Sequence, residues 1–202
     1  MPSSLTPVTL TGQLISLEPL SQNHAQGLYN RGRSAVDWAY MPRSCFVDLA
    51  DARQWIDEAL QATHQLPFAI VENAKGKVAG STRYLNIRSE HRSLEIGWTW
   101  LGQEWQRTGV NTEAKLLLLD YAFERLACRR VEFKTDGRNL RSQRALERIG
   151  AIREGQMRKH MVVQDDFSRD SVYFSVIDDE WPQVRARLQL LQQREPAAGN
   201  HY

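Results

Sequence analysis

At 202 residues and 42% hydrophobic, the chain is long enough to bury one sizeable core. Its 26 Lys and Arg nearly balance 24 Asp and Glu, so the net charge of +2 does not by itself argue for a nucleic acid or an anionic membrane as partner. Only Cys45 and Cys128 are present, with no CxxC and no histidine at ligand spacing, which suggests neither a disulfide framework nor a zinc site.

The N-terminus MPSSLTPVTL lacks the basic segment and apolar run of a signal peptide, and no apolar stretch approaches the ~20 residues that span a bilayer. A cytoplasmic protein is expected. Residues 1–195 read as a single domain, and residues 196–202, in the polar stretch EPAAGNHY, as a frayed tail.

GQLISLEPL, Gly12 to Leu20, reads as a first strand ended by Pro19. SQNHAQGLYNRGRS follows as a weak helix with Ser21 at its N-cap. DLADARQWIDEALQATHQ is a stronger one: Asp48 can cap it, and Leu49, Ala52, Trp55 or Ile56, and Ala59 recur at helical spacing. PFAIVEN and KVAGSTRYLNI are two strands joined by a turn around Asn73 to Lys77.

SLEIGWTWL alternates most cleanly, placing Leu94, Ile96, Trp98 and Trp100 on one face and Glu95, Gly97 and Thr99 on the other. EAKLLLLDYAFERL is a helix apolar over most of its circumference, which fits burial against a sheet. RRVEFKTD is a short strand and NLRSQRALERIG a helix closed by Gly150. AIREGQMRKHMVV and DSVYFSVID form a terminal strand pair, and a last helix runs from about Pro182 to Arg194. This order suggests a layered α+β or α/β domain.

The stretch QRTGVNTEAK, Gln106 to Lys115, puts a glycine, an amide and two threonines where the apolar helix begins. A helix N-terminus offers unpaired N–H groups and the positive end of the helix dipole, which suit phosphate. Gly109 would let the loop turn back, with Thr108, Asn111 and Thr112 as further donors; the alternative is an ordinary capped loop with Asn111 or Thr112 as N-cap. Neither GxGxxG nor GxxxxGK[ST] occurs.

The strand EIGWTW, the loop QRTGVN, the long helix, the strand RVEFKTD and then NLRSQRALERIGA resemble the GCN5-related N-acetyltransferase (GNAT) superfamily, in its RimJ/RimL-like branch. Gln106 and Gly109 match the family's phosphate loop, with Asn111 where glycine or alanine is usual. Asn139, Ser142, Gly150 and Ala151 match its second signature.

The resemblance implies an α+β fold, with a mixed, mostly antiparallel central sheet flanked by helices. It implies an acetyltransferase that moves an acetyl group from acetyl-CoA, as co-substrate, to a primary amine on a small molecule or a protein N-terminus, without a metal. The pyrophosphate would lie on the backbone amides of Arg107, Thr108, Gly109, Val110, Asn111 and Thr112, after Gln106. The pantetheine would lie beside Trp98, Thr99, Trp100 and Leu101, in a gap between that strand and RVEFKTD. Asn139 would meet the pantetheine amides and Ser142 the sulfur. No nucleic-acid or membrane partner is expected of such a protein, which would be a monomer or a homodimer.

Amide formation needs a neutral amine, whose reference pKa is about 7.7–8.0 for an α-amine and about 10.4 for lysine. Glu95 is a candidate base; the alternative is a pairing with Arg83 or another strand neighbour. Ser142 is a candidate proton donor to the leaving thiolate, or else a helix-start hydroxyl bonded to local backbone. His160 is a candidate base or acceptor contact, or else structural.

Trp98, Trp100 and Trp105 could line a pocket or fill the core. Of the arginine stripe Arg141, Arg144 and Arg148, Arg144 or Arg141 is favoured to meet the CoA 3′-phosphate. Two other functions compete: a non-catalytic CoA-binding module, and an RNA-associated protein. The latter would use the cluster Arg129 to Lys159, where ten Lys or Arg face four acids.

Overall fold

The computed structural model describes residues 5–194; the expected tail, 196–202, lies outside them. One eight-stranded sheet runs through the molecule in the order β1-β2-β3-β4-β5-β6-β8-β7. Its strands are β1 (Leu10–Thr11), β2 (Ile15–Pro19), β3 (Leu66–Glu72), β4 (Lys77–Arg88), β5 (Ser93–Leu101), β6 (Arg130–Asp136), β7 (Ile152–Val163) and β8 (Phe167–Ile177). Every pairing is antiparallel except β5 with β6. This is the mixed, mostly antiparallel α+β sheet expected, flanked by helices on both faces.

The helices are α1 (Ala25–Arg31), α2 (Ala35–Trp38), α3 (Leu49–Gln61), α4 (Val110–Asp120), α5 (Leu140–Ile149) and α6 (Trp181–Arg194). The weak helix after Ser21 divides into a 3₁₀ turn, α1 and the short α2. Asp48 caps α3 by accepting from the Asp51 N–H at 2.8 Å, and Ala52, Trp55, Ile56 and Ala59 are its buried stripe. Gly76 (φ 62) makes the β3–β4 turn and Gly150 (φ 99) closes α5, both in the left-handed region that favours glycine.

Two cores lie on opposite faces of the sheet. Strand residues Phe68, Ile70, Leu94, Ile96, Phe133 and Phe174 pack beneath α4, α5 and α6. On the other face Trp38, Phe46, Trp55 and Trp100 form an aromatic cluster with ring centroids 5.0–6.4 Å apart, roofed by α1 and α3. Burial of β3 on both faces explains why LPFAIVE reads as a continuous apolar run.

The alternation read from SLEIGWTWL breaks in the middle. Gly97 pairs with Arg83 and Trp100 with Ser81, so Trp98 and Thr99 together oppose Thr82 in a β-bulge, with Trp98 at φ 51. Leu94 and Ile96 therefore enter one core while Trp98 and Trp100 enter the other. Thr99 turns to the α4 side, and only Glu95 and Gly97 remain on the face first expected of all three.

Candidate active site between β5 and β6

The parallel pair β5–β6 is short. Ser93, Leu94 and Glu95 pair with Arg130, Val131 and Glu132, and there the ladder stops. The bulge at Trp98 bends β5 away, and a cavity of about 640 Å³ opens between the two strands. No pairing with β6 continues beyond Glu95, and the following residues of β5 border the cavity.

At one end of the cavity stands the start of α4. Gly109 is its N-cap, with φ −63 and ψ −10; the left-handed residue of the loop is Arg107, φ 61. The turn expected of Gly109 is therefore made two residues earlier. Thr108 Oγ1 donates to the Trp105 carbonyl at 2.7 Å and accepts from the Val110 N–H at 3.3 Å. The N–H groups of Asn111 and Thr112 have no intrahelical partner at this position.

Gln106 is wholly engaged: its Nε2 donates to Asp37 Oδ1 (2.6 Å) and the Leu101 carbonyl (2.9 Å), and its Oε1 accepts from Arg141 Nη1 (2.8 Å). It ties α2, the end of β5 and α5 together across one mouth of the cavity.

The helix α5 forms a wall. Asn139 caps it, its Oδ1 accepting from the Ser142 N–H at 3.0 Å, which leaves the Asn139 amide donors uncommitted. The Ser142 hydroxyl makes no hydrogen bond among the described residues, and both side chains border the cavity. Arg141 and Arg148 also reach it, whereas Arg144 is exposed and away from its lining. Arg148 Nη2 lies 3.3 Å from Thr112 Oγ1.

At the other end, Glu95 is 2% exposed. Its Oε2 accepts from Asn86 Nδ2 at 2.8 Å and lies 3.5 Å from Lys134 Nζ. Arg83, the partner first considered, is instead sandwiched between the rings of Trp55 and Trp98 at 4.6 and 4.8 Å. A Cβ at position 97 would stand 3.1 Å from Glu95 Oε1, so glycine there keeps that oxygen uncovered.

His160 does not line the cavity. Its Nδ1 is 3.1 Å from Ser171 Oγ and its Nε2 is 3.4 Å from the Tyr173 hydroxyl. Burial, then the nearby Lys134 and Arg169 cations, push its pKa below the usual 6.5 against the pull of Glu95. Trp98, Thr99, Trp100, Leu101, Arg107, Thr108 and Asn111 all border the cavity; Gly109, Val110 and Thr112 stand behind that surface.

Three residues passed over in the sequence belong to this region. Lys115 on α4 is buried with its Nζ 3.2 Å from Thr99 Oγ1, and burial lowers its pKa to about 8. Tyr173 faces Lys134 across β6–β8, and Arg169 lines the same cavity as Glu95. The alternation of Arg169, Ser171, Tyr173 and Ser175 with Val172, Phe174 and Val176 could have announced a polar face on β8.

Much of the basic cluster is engaged. Arg130 binds Glu132 and Glu154, Arg138 binds Asp136, and Lys134 pairs with Glu95.

Residues 15–152 match the acetyltransferase (GNAT) domain. The chain belongs to the GNAT superfamily. Within it the chain is an acyltransferase. It is 34% identical over 106 residues to the "Putative ribosomal N-acetyltransferase YdaF" of Bacillus subtilis, a match covering 52% of this chain and 57% of that protein.

Among solved structures, a GCN5-related N-acetyltransferase from Brucella melitensis superposes with a TM-score of 0.87 at 32% identity, covering 92% of this chain and 86% of that one. The ribosomal-protein-S5-alanine acetyltransferase of Vibrio fischeri shares the fold at a TM-score of 0.69 and 21% identity, with 86% and 98% covered. This GNAT chain transfers acetyl groups.

Proposed function

We propose that the donor is acetyl-CoA and the acceptor a primary amine, on a small molecule or a protein N-terminus, which attacks the thioester carbonyl directly. The observation that carries this reading is the parting of β5 from β6 between a helix N-terminus at one end and a buried carboxylate at the other. CoA has that length and polarity: a pyrophosphate for α4, an amide-bearing arm for the strand edge, and a reacting sulfur beyond it.

In this reading the Asn111 N–H group and the Arg148 guanidinium donate to phosphate oxygens. The uncommitted Asn139 amide donates to a pantetheine carbonyl. A backbone N–H on the free edge of β5 stabilises the oxyanion as the amine nitrogen bonds to the carbonyl carbon. Glu95 Oε1 takes the proton that the amine loses, the C–S bond breaks, and the Ser142 hydroxyl delivers a proton to the departing thiolate.

The test is thiol release from acetyl-CoA, with a mass readout of product, against free α-amine peptides, amino acids and polyamines. Turnover of an amine, abolished or severely reduced in Glu95→Gln, supports the reading. Hydrolysis of acetyl-CoA with no acetylated amine in any class would contradict it.

A further inference from the structure

Arg169 carries an unused capacity for an anion. It is 4% exposed, yet it borders the cavity. Of its five N–H donors, one reaches the Tyr40 carbonyl at a long 3.4 Å, and its Nε has no hydrogen-bond partner. The nearest carboxylate is Asp136, whose Oδ2 is 4.0 Å from that Nε.

Asp136 is already satisfied. Arg138 grips it with Nε at 3.0 Å and Nη2 at 2.7 Å, and the Arg138 backbone N–H adds a third bond at 2.8 Å. A buried guanidinium left this incomplete is costly unless a ligand completes it.

The position of Arg169 relates it to the reacting end. Glu95 opposes Glu132 across β5–β6, and Glu132, Lys134 and Asp136 oppose Ser175, Tyr173 and Ser171 across β6–β8. Cross-strand partners share a face, and Arg169, two residues before Ser171, continues the same row. The carboxylate beside which the amine would be deprotonated and the incomplete guanidinium thus border one cavity.

The wall beside them is fixed. Gln164 Nε2 lies 2.9, 2.8 and 2.7 Å from the carbonyls of Trp38, Met41 and Arg43, which holds Tyr40, Met41 and Pro42 at the cavity edge.

We propose that Arg169 is a carboxylate-binding subsite, and that the acceptor is therefore an amine that also carries a carboxylate. The inference rests on the amine-acceptor reading above. Arginine suits the role because its planar fork meets a carboxylate through two parallel hydrogen bonds. The carboxylate has two sources, the α-carboxylate of a free amino acid or the acidic side chain of a peptide, and they share this chemistry.

The test compares matched acceptors on the wild-type enzyme with acetyl-CoA: L-phenylalanine against L-phenylalaninamide, and amidated peptides with and without aspartate near a free N-terminus. The subsite predicts that one carboxylate-bearing member is favoured by about tenfold or more in kcat/KM over its neutral counterpart. Preference within the first pair identifies a free amino acid, and within the second an acidic peptide.

Arg169→Gln should abolish that preference through KM while leaving the affinity for CoA unchanged, and Arg169→Lys should restore it only in part. Equal turnover of both members of each pair by the wild type overturns the subsite and leaves the amine reading standing. Absence of acetylated product from every amine overturns both.

Discussion

Glu95 stands opposite Glu132 in the last hydrogen-bonded pair between β5 and β6, and beyond that pair the strands part. The carboxylate thus lies at the closed apex of the opening, held by Asn86 and Lys134 on one oxygen and uncovered beside Gly97 on the other. Glu95→Gln keeps the shape and removes the base. The expected loss is about 10²-fold or more in kcat with the affinity for CoA unchanged. Steady-state kinetics beside calorimetric titration of CoA separates the two.

His160 sits behind this apex with its ring nitrogens facing Ser171 and Tyr173. It should orient the Tyr173 side of the acceptor end rather than move protons itself. His160→Gln is expected to lower kcat by less than about tenfold, well short of Glu95→Gln. Equal losses in the two variants, measured under the same conditions, would transfer the base role to His160.

At the other end, Asn111 occupies the first turn of α4 and borders the cavity. Asn111→Asp changes little but charge, and would set a carboxylate against a pyrophosphate. The Kd for CoA should rise about tenfold or more, with less effect on dephosphorylated pantetheine. An unchanged Kd would remove the pyrophosphate from this helix end.

Lys115 adds a pH dependence to stability. Its folded pKa, about 8, lies below its ordinary 10.5, so between those values the unfolded chain holds a proton that the folded chain has lost. Stability from this group therefore rises with pH across that window, and below pH 8 its buried charge costs up to about 3 kcal/mol. Cys128, pushed up from 9.0 to about 12, acts in the opposite sense above pH 9. Denaturant midpoints of Lys115→Met and wild type, compared between pH 7 and 9, should show the variant more stable at pH 7 and the gap narrowing above 8.

Glu113 ties the two ends of the sequence's first half together. It is 3% exposed, and its carboxylate accepts from the backbone N–H groups of Gln13 at 2.9 Å and of Leu14 and Ile15 at 2.8 Å. Glu113→Ala would strand three donors and should destabilise the fold by about 2–4 kcal/mol, read from urea unfolding.

Much of this was legible in the sequence. Asp48 as a cap, Gly150 as a stop and the Asn139–Ser142 spacing are local signals, and the structure uses the first two in those positions. The bulge at Trp98 was not legible, because a period-2 pattern continues through it and nothing local marks a tryptophan at positive φ. Glu113 was missed because its partners lie about a hundred residues upstream, and Arg169 because a lone arginine on a strand reveals neither its burial nor its missing partners.

The most direct measurement is a crystal structure of the enzyme with acetyl-CoA. The account predicts the pyrophosphate on the N–H groups at the start of α4 and the thioester between the free edge of β5 and β6, on the Glu95 side. Ordered acetyl-CoA bound anywhere else, with the β5–β6 opening left to solvent, would contradict it.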